Sequence, residues 1–155
     1  MEDSQEIQEC IMNIGILNKS RHGLPTYRHE GDSGMDVRAD IGEPTILPAG
    51  ERCVVPTGLY FQIPRGYEFQ VRPRSGMAAN HGITVLNTPG TIDSNYTGEL
   101  KVILYNSSKT DFVIEPGDRV AQIVLAKTEE IQWTEISELD QTSRGAGGFG
   151  STGIK

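Results

Sequence analysis

Short runs of β-branched and aromatic residues recur about every ten positions along this chain, each closed by glycine or proline, and that rhythm leaves room for little except antiparallel sheets. Residues 11–17, 52–63, 67–73, 82–87, 99–106, 111–114 and 119–126 are predicted as strands. The 18 glycines and 8 prolines in 155 residues exceed the usual share and break any long helix. Pro48 to Gly50 and Pro116-Gly117 mark turns, and one window, SGMAANH over residues 75–81, has a helical pattern a turn or two long. The expected class is all-β.

At 155 residues one domain is expected, large enough to bury a core without staples. Cys10 and Cys53 are the only cysteines and form no CxxC, so neither a disulfide scaffold nor a cysteine zinc site is available, and a reducing, cytoplasmic setting is the expectation. His22, His29 and His81 lack metal-ligand spacing and a neighbouring nucleophile signature. A net charge of −7 without a block of like charges argues against nucleic acid and anionic membranes as partners. No apolar run reaches a membrane-spanning length, and the acidic first ten residues do not resemble a targeting peptide, so residues 1–9 are expected to be a flexible arm.

The body is expected over residues 1–139. From Asp140 the composition changes to DQTSRGAGGFGSTGIK, which cannot bury enough apolar surface to order itself, so residues 140–155 are expected to be a mobile tail. Gly145, Gly147 and Gly150 match GxGxxG spacing, and Gly150-Ser151-Thr152 end a Walker-like pattern. Neither has the preceding strand and following helix that such motifs require. The local chemistry survives: glycine N–H groups, two hydroxyls and Arg144 suit a polyphosphate, and Phe149 suits a flat base.

Three other segments carry chemistry. In RPRSGMA, residues 72–78, Ser75 is placed to cap the short helix, and Arg74 beside it suits an anion; an ordinary cap with a solvated arginine explains the same pattern. In LNTPGTIDSNYTGE, residues 86–99, Pro89-Gly90 predicts a tight hairpin whose backbone could read a base edge, with Asp93 and Tyr96 nearby; a plain hairpin with Asp93 in an Asx turn is the alternative. Asp36 in SGMDVRAD and Gln122 in GDRVAQIVL are explained singly as an outward strand residue and a cross-strand partner.

Taken together and in order, SGMDVRAD, RPRSGMA, GTIDSNYTGE, GDRVAQIV and RGAGGFGSTG resemble the five motifs of the trimeric dUTPase family, over residues 33–153. The resemblance implies a β-clip or distorted jelly-roll subunit in a homotrimer, with active sites between subunits and the tail as a lid. It implies hydrolysis of dUTP to dUMP and pyrophosphate, which limits uracil in DNA and supplies dUMP for thymidylate synthesis. By the same resemblance Asp93 activates the attacking water, and Asp36 touches Mg2+ through water. Tyr96 packs under deoxyribose, while Asn87 and the backbone of Gly90, Thr91 and Ile92 read uracil. Arg74, Ser75, Gly76 and Gln122 meet phosphates, and Arg144, Phe149, Gly150, Ser151 and Thr152 belong to the lid.

The chemistry is consistent with those parts. Phosphoryl transfer asks a protein for positioning and charge stabilisation, and one carboxylate in reach of a water suffices as base. The related dCTP deaminases resemble this chain too, but carry a catalytic glutamate on the following strand where Ile103 stands here. A catalytically silent nucleotide-binding member of the fold is the remaining alternative, against which stand the intact Asp36, Asp93 and Arg144.

Overall fold

A computed structural model describes residues 11–154; the expected N-terminal arm and Cys10 lie outside the described residues. Its strands are β1 (Gly15–Asn18), β2 (Gly34–Arg38), β3 (Thr45–Leu47), β4 (Arg52–Pro56), β5 (Leu59–Gln62) and β6 (Tyr67–Arg72). Helix α1 (Ser75–His81) follows, then β7 (Ile83–Val85), β8 (Gly90–Ile92), β9 (Lys101–Asn106), β10 (Phe112–Ile114) and β11 (Arg119–Lys127). The class is all-β with one short helix among the described residues, as the punctuation of the sequence requires. No helix there is long and apolar enough to cross a membrane.

Every pairing is antiparallel. A four-stranded sheet runs β2-β11-β6-β8, a three-stranded sheet β4-β9-β7, and two-stranded ladders join β1 to β5 and β10 to β3. Period-two alternation turns Val102 and Leu104 of β9, and Phe69 and Val71 of β6, into one shared core. Leu47, Leu59, Phe61, Val85 and Ile114 fill it from the other strands, and Phe61 meets Phe69 edge to face at 4.9 Å between ring centres. Burial also pushes the Cys53 thiol up, which keeps it protonated and unreactive.

One irregularity positions the functional residues. Between Arg119 and Ala121 the β11 register against β2 slips, so that two steps along β11 match one step from Arg38 to Val37. Val120 is the extra residue, and it is buried beside Ala121. Arg119 and Gln122 are three apart and would face opposite ways in a regular strand; the bulge puts both on the outward face, opposite Arg38 and Asp36.

Residues 86–99 depart from the expected hairpin. Strand β7 pairs with β9 and strand β8 with β6, so Pro89-Gly90 carries the chain from one sheet to the other rather than back along itself. The expected serine cap is also absent: Arg74 is the N-cap, makes no side-chain cap bond, and Ser75 is the first helical residue. The other end of α1 closes on Gly82 in the left-handed region (φ 67°), the usual glycine stop.

The sheets are tied at the end of β9 by Asn106, fully buried in the core. Its Nδ2 donates to the carbonyls of Leu47 (3.0 Å) and Thr110 (2.8 Å), and its Oδ1 accepts from the Ser108 N–H (3.0 Å) and hydroxyl (2.7 Å). Asn106→Ala strands these buried partners and is expected to cost about 2–4 kcal/mol in urea unfolding. A loss below about 0.5 kcal/mol would show that water replaces the amide without penalty.

Candidate active site

Asp36 lies mid-way along β2, its side chain 24% exposed, and each carboxylate oxygen meets an arginine. Arg74 Nε lies 3.2 Å from Oδ1, and Arg119 Nη1 lies 3.0 Å from Oδ2. Arg74 is held again through its Nη1, which donates to the Arg119 carbonyl at 3.0 Å. Two guanidinium groups, from the β6–α1 junction and from β11, are thereby locked around one carboxylate. Three such charges leave an excess of one positive unit, to which Arg38 adds another while it donates to the Gly117 carbonyl (2.8 Å). Arg38, Arg74, His81 and Arg119, with Asp118 as the one carboxylate, line a cleft of about 320 Å³ whose size and net positive charge suit a polyphosphate.

Gln122 completes this edge. It pairs with Asp36 on one side and Arg72 on the other, and its Nε2 donates to the Pro73 carbonyl at 2.9 Å. Its amide oxygen lies across Gly34, where any Cβ would collide with it. Ser75 and Gly76 are exposed at the start of α1, directly after Arg74. Asp36, Arg74, Ser75, Gly76 and Gln122 are therefore brought together, by strands distant in sequence.

Asn87, Gly90, Thr91, Ile92, Asp93 and Tyr96 form a second group. Strand β8 is the far edge of the same sheet, so one side of its backbone faces away from β6. The Asn87 amide folds over Gly90, whose Cβ, if present, would lie 3.3 Å from Asn87 Nδ2 and 3.2 Å from Val71 Cβ. Exposed Asp93 begins a turn closed by the Tyr96 N–H on the Asp93 carbonyl (3.1 Å), and the Tyr96 hydroxyl donates to the Glu99 carbonyl (2.8 Å). Within one chain this group adjoins β6, the strand that leads to Arg74, and lies farthest from Asp36. Strands β2 and β8 are the opposite edges of the sheet, three strand spacings or roughly 14 Å apart.

The tail forms the third group. Arg144 Nε donates to the Gly147 carbonyl (2.9 Å), and further turns close from Ser151 to Gly148 and from Gly153 to Gly150. Among the described residues the hydrogen bonds of Arg144, Ser151 and their neighbours stay within the tail, and Phe149 is fully exposed with φ 49°. Arg38 and Arg119 were not singled out from the sequence. Arg119 stands inside GDRVAQIV, but its direction depends on the bulge, which no residue type announces.

The donor set was tested against a divalent cation. Both Asp36 oxygens are engaged by guanidinium groups, and the described residues hold no cluster of three or more His, Cys, Asp or Glu placed to bind a metal. These residues do not suit a resident ion bound directly. They do suit a magnesium ion carried by a polyphosphate and touched through its water, since Mg2+ is held mainly by substrate phosphates and keeps several waters.

The dUTPase family model matches residues 21–153. The deoxyuridine 5'-triphosphate nucleotidohydrolase of Fusobacterium nucleatum subsp. nucleatum is 54% identical over 142 residues, covering 92% of this chain and 97% of the relative. That of Rickettsia felis is 54% identical over 143 residues, again with 92% and 97% covered. The fold is similar to that of the Staphylococcus bacteriophage 80alpha dUTPase G164S mutant with dUpNHpp, at a TM-score of 0.81 and 23% identity, covering 92% of this chain and 99% of the other. It is similar also to the D95N mutant dUTPase of phage phi11, described with a structural Mg(II) ion, at a TM-score of 0.75 and 22% identity over 84% of this chain and all of the other. With its motifs carried on the β-clip of that fold, the chain belongs to the dUTPase family.

Proposed function

We propose that this chain hydrolyses dUTP to dUMP and pyrophosphate, in a homotrimer whose sites are each shared between subunits. The observation that carries the reading is the placement of two complementary half-sites on opposite edges of one sheet. A cationic, phosphate-sized cleft occupies one edge and a base-sized loop with an exposed carboxylate the other. The first edge of one copy can face the second edge of another in a closed ring. Membership of the dUTPase family supports the same substrate.

In this reading the backbone of Gly90, Thr91 and Ile92, with Asn87, pairs the uracil edge. Fixed donors and acceptors there leave buried groups unpaired against cytosine, and the close backbone leaves no room for the thymine methyl. Tyr96 lies under the deoxyribose, where a 2'-hydroxyl would collide with the ring. Arg74, the Ser75 hydroxyl, the Gly76 N–H and Gln122 hold the phosphates, and the ion pairs to Asp36 keep Arg74 in place before substrate arrives. Asp93 holds the attacking water and takes its proton as the water oxygen bonds to the α-phosphorus; the bond to the β-phosphate side breaks and its electrons leave with pyrophosphate. Magnesium, when bound with the triphosphate and touched through water by Asp36, neutralises phosphate charge. Arg144, Phe149, Gly150, Ser151 and Thr152 close over the nucleotide as a lid and exclude water other than the nucleophile.

A panel of dUTP, UTP, dTTP, dCTP and dATP with magnesium should release pyrophosphate preferentially from dUTP, and Asp93→Asn should lower kcat at least about 100-fold with KM within a few-fold. Binding of dUTP without turnover would make the protein a sensor, and ammonia from dCTP would make it a deaminase. Shared sites have their own test: Asp93→Asn and Arg74→Ala chains, each inactive, are unfolded together and refolded as mixed oligomers. Recovery of roughly a quarter of wild-type turnover is the result expected for random assortment of two half-sites, and no recovery places the site within one chain. Truncation after Ser143 should leave a folded body with turnover reduced at least about tenfold, and full activity would remove the tail from the mechanism.

A further inference from the structure

Tyr96 is held in an unusual way. It is 44% exposed, yet its ring does not swing free, because its hydroxyl is tethered to the Glu99 carbonyl at 2.8 Å and the hydroxyl end of its ring sits against Gly98. A Cβ on Gly98 would stand 2.6 Å from the Tyr96 hydroxyl oxygen, 2.7 Å from Cζ and 3.0 Å from Cε2. Contacts that short are not tolerated, so with any other residue at 98 the ring must leave its seat. The seat itself is anchored in the core. Glu99 Oε1 accepts the Gly58 N–H at 3.0 Å, and the neighbouring Leu100 N–H donates to the Leu59 carbonyl at 2.8 Å. Buried Thr57 adds its hydroxyl to the Leu100 carbonyl at 2.6 Å. The backbone under the ring therefore cannot yield, and the ring must.

We propose that Gly98 is a specificity-determining positioning residue: by lacking a side chain it seats the Tyr96 ring low enough to admit a deoxyribose and high enough to refuse a ribose. This rests on the reading of Tyr96 as the floor of the sugar pocket. Substitution at 98 displaces the ring from its seat, so the surface that supports the deoxyribose and refuses the 2'-hydroxyl is no longer held in place and the advantage over ribose shrinks. The moving group is the free end of an exposed side chain, so the fold is expected to keep its thermal midpoint while specificity changes. Neither the positive-φ argument nor a helix break explains the glycine, because Gly98 lies in neither situation.

The test is a double-mutant cycle in the full-length protein, with kcat and KM for dUTP and UTP measured in wild type, Gly98→Ala, Tyr96→Ala and the double variant, and thermal unfolding recorded for each. The expected results are a dUTP over UTP preference about tenfold lower in Gly98→Ala, carried mainly by a raised KM for dUTP, and no further loss when Gly98→Ala is added to Tyr96→Ala. If Tyr96→Ala lowers the preference but Gly98→Ala does not, the role of Gly98 is overturned while the sugar-pocket reading stands. If Gly98→Ala lowers it equally in both backgrounds, the residue acts without Tyr96 and the proposal fails. An unchanged preference in Tyr96→Ala overturns the pocket reading, and this inference with it. Gly98→Ser repeats the Cβ with a different side chain, and must give the same loss if the Cβ is what displaces the ring.

Discussion

Asp36 holds the arginine-rich edge together, and it engages both of its oxygens because β11 carries one residue too many. The bulge at Val120 brings Arg119 onto the face that already displays Gln122, Arg38 and Asp36. Without that extra residue Arg119 would point into the core and Asp36 would lose the partner on its Oδ2. The cost of the bulge is small, since Val120 and Ala121 both stay buried against the apolar interior. What it produces is a pre-arranged pair of guanidinium groups. Arg74, fixed by Asp36 and by the Arg119 carbonyl, has little rotamer freedom left to lose when an anion binds.

The second constraint is distance. A sheet four strands wide separates its edges by more than the reach of one side chain, so Asp36 on β2 and the residues of β8 do not touch within one subunit. This division also resolves an apparent conflict of charge. The chain carries a net charge of −7, which disfavours a polyanion in general, yet Arg38, Arg74 and Arg119 are concentrated in one cleft. Local field, not net charge, governs a small ligand within a Debye length of roughly 8–10 Å.

Much of the fold was legible in the sequence, and each exception has a physical cause. Strands β6 and β9 declare themselves by alternation and β11 by its apolar, β-branched run, and SGMAANH forms the helix expected of it. Strands β3 and β8 are three residues each, too short for a period, and β2 hides Asp36 among its apolar neighbours. The expected hairpin at Pro89-Gly90 failed for a different reason. Turn chemistry reports that the chain changes direction, but pairing depends on which strand lies alongside, and for β8 that strand is β6, about twenty residues earlier. Ser75 looked like a cap because of its position before an apolar pattern; one residue of error moved the cap to Arg74, whose side chain is committed to Asp36. The motif residues Asp36, Arg74 and Gln122 are therefore neighbours in the fold, while the geometry that unites them, the bulge above all, is nonlocal.

A division of labour between rigid and extended parts follows from the same physics. Three body residues of the proposed site are held by contacts that do not involve substrate: Asp36 by two arginines, Gln122 by Pro73, and Tyr96 by Glu99 and Gly98. The tail residues are held only by one another, with Gly145, Phe149, Gly150 and Gly153 all at positive φ. Ordering such a segment over a ligand costs backbone entropy of about 1–2 kcal/mol per residue, so binding energy from the nucleotide must offset it. That cost has a use in catalysis. In the proposed mechanism, a lid that closes only when base and phosphates are both in place would couple recognition of the whole nucleotide to exclusion of water from the α-phosphorus, so that poor ligands are released before they react.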